Sequence, residues 1–219
     1  MDKTPWERAE LRTETAVAVL LFPVLTVLPG ILFHCGRGLI DMPGAVLSSC
    51  IIGLGCCLIL SPRNLGLGLP TGKDFFTAAV MALLLLPAVG GVTALWGKLL
   101  GFLNITCTAE QPIALLIKKY SGLKLAQLLL CACVIIPLLE EVLFRRLIYG
   151  FLLRYGFVYA VSFTALLFSV VHFFVLGIPG FILLGAGFQF CFLRNKNLTA
   201  AVLTHIFINS AAVIKIFLT

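Results

Sequence analysis

Long apolar runs separated by short polar punctuation dominate this chain, and most of the runs are long enough to cross a bilayer. They fall at 15–33 (kinked by Pro23 and Pro29), 39–60, 75–95 with an extension to 102, 125–155, 157–176, 181–193 and 198–218. The second run is rich in small residues (Gly44, Ala45, Ser48, Ser49, Gly53, Gly55), which favours close helix packing. The run at 125–155 exceeds what the bilayer needs, so its end with Arg154 projects beyond it. The run at 181–193 is short and thinned by Gly185 and Gly187. Between the runs lie a turn at Cys35-Gly36-Arg37-Gly38, a Pro- and Gly-rich loop at 61–74, and tight turns at Gly156 and Gly177-Ile178-Pro179-Gly180. The basic turn Arg194-Asn195-Lys196-Asn197 precedes the last run. The longest connection, 104–124, contains an amphipathic stretch at 113–120 ending in Lys118-Lys119, read as a surface helix or a gate. The lead 1–14, with Trp6, Lys3, Arg8 and Arg12, reads as interfacial. The pattern predicts an all-α polytopic membrane helix bundle of about seven transmembrane helices, six to eight by length.

Composition supports this picture. Of 219 residues 61% are hydrophobic and 11% charged, and the mean hydropathy is +1.12, far from a soluble domain. The net charge of +7 does not point to nucleic acid, because the lysines and arginines stand singly or in pairs between apolar runs, as topology signals do. With the N-terminus inside, Arg63, Lys73, Arg145, Arg146, Arg154, Arg194 and Lys196 fall on the cytoplasmic side. Arg37, Lys215 and the lysines of the long connection fall outside. The 8 cysteines form no framework. Most lie inside apolar runs, no C-x-x-C pair occurs, and no disulfide is expected of Cys35 and Cys107 near the loops. The first apolar run is long enough to remain as an anchor rather than a cleaved signal.

Three runs carry polar residues that hydropathy alone would exclude. Glu140 and Glu141 sit in the fourth, His172 in the fifth, and His205 with Asn209 in the last. Intramembrane ionisable residues are functional candidates by default. Glu141 and Arg145 are four apart, acid first, the favourable order for a helical ion pair, and Glu140 points about 100° away without that partner. Phe168 and His172 share a helix face, as do His205 and Asn209. Glu140 lies as far before the Gly156 turn as His172 lies after it, roughly 20 Å each way. His205 and Asn209 lie about 10 and 16 Å past the basic turn. These depths agree if the hairpin around Arg154 protrudes, and the five residues then converge on one cavity open toward the cytoplasm. Gln189 reads as an interhelical donor, Asp41 as an interfacial acid, and Ser162, Thr164 and Thr204 as hydroxyls satisfied within their helices.

Two carboxylates, two histidines and an asparagine suit hydrolysis by activated water. Glu140, desolvated, is placed as general base, with His172 holding the same water. His205 and Asn209 are placed to donate to a developing oxyanion. A rival scheme makes Glu140, His172 and His205 zinc ligands. Spacing does not separate the two, and neither His-to-His separation matches the compact H-E-x-x-H pattern.

These residues resemble the CAAX-protease and bacteriocin-processing family of intramembrane endopeptidases. The family's E-E-x-x-x-R, F-x-x-x-H and H-x-x-x-N segments match Glu140 to Arg145, Phe168 to His172 and His205 to Asn209, in order. The resemblance covers about 125–210. It divides the chain into N-terminal helices and a surface connection, 1–124, and a catalytic core of four helices, 125–219. It implies peptide-bond cleavage near the membrane surface, with Glu140 and His172 activating water and His205 and Asn209 as oxyanion donors. Glu141, Arg145 and Phe168 would be supporting residues, and no metal cofactor is required. The implied partners are the lipid bilayer and a membrane-tethered protein or peptide carrying a sorting signal, a bacteriocin leader or a CAAX-like end. The short loops suggest a bacterial inner-membrane setting. The competing classes are a non-enzymatic immunity or scaffold protein, and a proton-coupled transporter, whose inverted repeats and two-faced pathway are not evident in the sequence.

Overall fold

A computed structural model of the chain describes residues 20–25, 28–35, 41–58, 66–107 and 110–218. The interfacial lead 1–14, Arg37 and Arg63 lie outside the described residues, as does the side chain of Cys35. Every regular element described is helical. A helical segment, 20–25, precedes α1 (Leu28–Cys35), α2 (Met42–Leu58), α3 (Gly72–Phe102) and α4 (Pro112–Lys119). Then come α5 (Gly122–Tyr155), α6 (Phe157–Val170), α7 (Ile178–Asn195) and α8 (Thr199–Leu218). Among the described residues four helices, α3, α5, α7 with the short turn before it, and α8, are long and apolar enough to cross a membrane. α2 and α6 are shorter apolar helices. The protein is a polytopic helical bundle.

α7 is the centre of the bundle. Half of its most apolar window is buried inside the protein, against 22–28% for α3, α5 and α8. It packs on α6, α3 and α8. Glycine makes the closest approaches possible: a Cβ on Gly185 would stand 3.0 Å from the Cα of Ala165 on α6, and one on Gly187 2.6 Å from Leu85 Cδ1 on α3. On the outside, large apolar residues such as Phe76, Leu83, Leu84 and Leu95 of α3 are exposed, as a lipid-facing surface requires.

The expected run 157–176 is not one helix, since α6 stops at Val170. α3, by contrast, starts before 75 and runs to the expected extension at 102, and α7 extends past the expected 181–193 at both ends. The amphipathic stretch of the long connection is helical, as α4, with Ile117 buried against the bundle. Asp41 is paired with Lys124.

One polar clasp ties the start of α3 to the α7–α8 turn. Asp74 is 1% exposed. Its carboxylate accepts from Thr71 N at 2.9 Å and Thr71 Oγ1 at 2.6 Å, closing a capping box. The same carboxylate accepts from Asn195 Nδ2 at 2.6 Å and Asn197 Nδ2 at 3.1 Å. Asn197 Oδ1 in turn accepts the Ala200 N–H in the first turn of α8, at 3.3 Å. Beside it, Leu198 N donates to Gly66 O at 2.9 Å. Bonds to a charged group contribute about 1.5–3 kcal/mol and leave costly orphans when removed. Asp74→Ala should therefore lower stability by about 3 kcal/mol, read as unfolding in detergent or lipid nanodiscs. Lys73→Ala, exposed one residue earlier, should stay within about 0.5 kcal/mol of the parent.

Candidate active site

The two glutamates lie on a six-residue α-helical stretch, Ile136–Glu141, between two π-helical turns at Cys131–Ile135 and Val142–Ile148. Such turns concentrate at functional sites. The first leaves one carbonyl stranded. Ile136 N–H donates to Cys131 O, five residues back. The next acceptor, Ala132 O, would take the amide of residue 137, which is proline and has none. Asn209 of α8 fills the vacancy, its Nδ2 donating to Ala132 O at 2.8 Å. The residue expected as an oxyanion donor thus commits one N–H to joining α8 to α5. Its amide carries a second.

Glu141 is fully buried, and both of its oxygens are bonded. Oε2 accepts from Arg145 Nε at 2.9 Å, and Oε1 accepts from His205 Nδ1 at 3.0 Å. The Arg145 side chain has no exposed surface, and its guanidinium lies 5.1 to 6.0 Å from the ring centres of Phe168, Phe188 and Phe144. Among the described residues its Nη1 and Nη2 have no hydrogen-bond partner. A carboxylate only accepts, so Nδ1 of His205 carries the proton. Its Nε2 is then turned to Glu140, 3.6 Å from Oε2, beyond hydrogen-bond length.

His172 lies just beyond the end of α6. There the backbone tightens to three-residue bonds, His172 N to Ser169 O at 3.3 Å and Phe173 N to Val170 O at 3.1 Å. This frees the Phe168 carbonyl, and His172 Nδ1 takes it at 2.7 Å. The carbonyl accepts, so the proton sits on Nδ1 and the neutral ring keeps an acceptor lone pair on Nε2. Phe173 follows with φ +48°, a conformation rare for an aromatic residue, and reverses the chain. Two bonds pin the reversal: Trp96 Nε1 donates to Val175 O at 3.0 Å, and Ser169 Oγ to Ile178 O at 2.8 Å.

Both imidazoles rest on rings of α7. Phe181 stacks on His172 at 4.0 Å and 26°. Phe188 stacks on His205 at 4.4 Å and 19°. Phe168 stands between them, 4.8 Å from His172 and 5.8 Å from His205. Phe181 and Phe188 are seven apart, two turns along one face. That spacing was available in the sequence, but 18 phenylalanines gave no reason to single out these two.

Glu140 and His172 share a cavity of about 120 Å³ with Phe22, Leu25, Leu143, Phe144 and Val171. Glu140, with 14% of its side chain exposed, is the accessible member of the acidic pair. His205 touches the site through Glu140 and Glu141 rather than by lining this cavity. Among the described residues no three His, Cys, Asp or Glu side chains stand where they could hold one metal ion. Gln189, expected to bond across helices, is buried with neither amide atom hydrogen-bonded among the described residues, and Thr164 keeps an unpartnered hydroxyl. Thr204 does satisfy itself in its helix, donating to Ala200 O at 2.7 Å.

A family model described as type II CAAX prenyl endopeptidase Rce1-like matches residues 122–211. No curated protein and no solved structure matches the chain. The matched stretch opens with α5 and takes in Glu140, Glu141, Arg145, Phe168, His172, His205 and Asn209.

The proline-stranded carbonyl makes a two-residue prediction. Asn209→Ala should cost about 1–3 kcal/mol by orphaning Ala132 O. Adding Pro137→Ala, which restores an amide N–H there, should recover part of that loss. Unfolding of the two single variants and the double variant measures the coupling, and strictly additive effects would contradict this account.

Proposed function

We propose that this chain, whose residues 122–211 match the Rce1-like type II CAAX prenyl endopeptidase family model, is an intramembrane endopeptidase of glutamate type. The family supports a membrane protease acting on a protein or peptide. One observation carries the finer reading: Glu140 and His172, from different helices, wall the same cavity, while the neighbouring Glu141 is bonded on both oxygens.

Glu140 and Nε2 of His172 would hold one water between them. Glu140 takes a proton from it as the water oxygen bonds to the peptide carbonyl carbon. Electrons shift to the carbonyl oxygen, which becomes the oxyanion. His205 can donate to it from Nε2 when its ring carries both protons, and Asn209 from its second N–H. The C–N bond then breaks, and Glu140 returns its proton to the leaving amine. Glu141 and Arg145 hold His205 in orientation and meet no substrate. No metal takes part in this scheme. The substrate is a membrane-tethered chain bearing a sorting signal, a leader or a CAAX-like end. The setting is a cell membrane, bacterial and inner, with the site facing the cytoplasm, as the basic turn at Arg194 and Lys196 suggests.

Loss of a general base typically costs about 10²–10⁴-fold in rate. Glu140→Gln, close to it in shape, should lose cleavage of a membrane-tethered peptide by that factor while keeping its unfolding temperature. Wild-type cleavage in lipid vesicles should survive a strong zinc chelator. Full activity in Glu140→Gln refutes the mechanism, and activity lost to chelation and restored by zinc refutes its metal-free form.

A further inference from the structure

We infer that Trp96 is a positioning residue for His172: its indole N–H holds the chain reversal after α6 in a strained form, and in that form His172 keeps the backbone acceptor that orients its ring. The inference rests on the protease reading above and adds to it a residue outside the matched stretch 122–211.

The reversal competes with a simpler course for the chain. The sequence from Val170 to Leu176 is apolar apart from His172 and contains no glycine or proline, so nothing local tells α6 to stop. In a continued α-helix the His172 N–H would bond the Phe168 carbonyl, four residues back. Here it bonds Ser169 O instead, and the Phe168 carbonyl accepts from His172 Nδ1 at 2.7 Å. Helix and ring thus compete for one carbonyl, and the ring is anchored where the helix has stopped. The stop strains one residue. Phe173 stands at φ +48°, a conformation that a bulky L-residue avoids. Its side chain is 78% exposed, so its own packing does not hold it there.

The restraint comes from α3. Trp96 Nε1 donates to Val175 O at 3.0 Å, two residues past Phe173. At the depth of lipid neither group has water as a substitute partner. The two chains are closely fitted on either side of this bond. A Cβ on Gly97 would stand 3.2 Å from Leu176 Cδ1, and one on Gly180 2.7 Å from Thr93 Oγ1. Ser169 Oγ supplies a second tie, to Ile178 O at 2.8 Å. The same reversal carries the ring that covers His172. A Cβ on Gly177 would stand 2.5 Å from Phe174 Cδ1 and 2.7 Å from Phe181 Cε2, and Phe181 stacks on the imidazole at 4.0 Å. Trp96 therefore bears on the tautomer of His172 and on its packing without touching it.

The test uses the full chain in lipid vesicles. Trp96→Phe keeps an aromatic ring and removes the N–H. It should lower kcat for a membrane-tethered peptide by about tenfold, within what a small misplacement of a catalytic group costs, and leave KM unchanged. Phe173→Gly takes up a left-handed φ without strain. It should cleave like wild type and, combined with Trp96→Phe, restore most of the lost rate. A second readout does not depend on cleavage. The chain has 3 histidines, so ring-nitrogen NMR signals of histidine-labelled protein are assigned to His172 and His205 by single substitutions. Trp96→Phe should shift or broaden the His172 signals and leave those of His205 in place, and adding Phe173→Gly should return them. Unmoved His172 signals in Trp96→Phe overturn the inference, with the protease left intact if wild type cleaves. A lost rate that Phe173→Gly does not rescue also overturns it and assigns Trp96 to packing alone. If wild type cleaves nothing, the protease reading fails, and the His172 signals still decide whether Trp96 sets the ring.

Discussion

Glu141 is an acid fully buried from solvent. One of its oxygens is bonded to Arg145 on its own helix and the other to His205 on α8. A charge in so apolar a setting persists only if it is paired and hydrogen-bonded. A buried pair of this kind adds little net stability compared with apolar packing, so its value here is geometric. It fixes where Arg145 lies, and the guanidinium spreads among three phenylalanine rings. It also fixes which nitrogen of His205 carries the proton and which faces Glu140. Remove that acid, and the neighbouring residues keep their chemistry but lose their aim.

The adjacent acid has the opposite fate. Glu140 is one residue away, about 100° around the helix, and it looks into a cavity instead of a bonded core. Two identical side chains thereby acquire different work through angle alone. The histidines are treated more alike. Each gives Nδ1 to a fixed acceptor, a backbone carbonyl for His172 and a carboxylate for His205. Each rests its face on a phenylalanine of α7. With one nitrogen tied and one face covered, the remaining nitrogen has little freedom in where it points.

Much of this could be read in advance, and the parts that could not share a cause. Intramembrane polarity is expensive, so Glu140, Glu141, His172, His205 and Asn209 announce themselves, and helical spacing pairs Glu141 with Arg145. Hydropathy also locates the helices, but it misjudges the end of α6, because the run stays apolar past Val170 while the hydrogen bonding changes. The bond of Asn209 to Ala132 depends on a missing proline amide 72 positions earlier in the chain, which no periodicity displays. Asp74 reads as the end of a loop, since its partners Asn195 and Asn197 are 121 and 123 residues away. The cavity wall at Phe22 and Leu25 has no motif at all. Local pattern carries cost and spacing, whereas long-range partners emerge only from packing.

The two π-helical turns in α5 have a consequence for how this helix can vary. Each accommodates an extra residue without breaking the rod, so the stretch Ile136–Glu141 has an angular phase of its own, offset from the helix on either side. The lipid-facing and core-facing stripes before Cys131 and after Ile148 can each be retuned without turning the acids. Loss of a single residue within either turn would do what no substitution there does: swing one flank by about a quarter turn relative to the glutamates. The stretch that carries the two glutamates is therefore tolerant of change in side chains around it and intolerant of change in count.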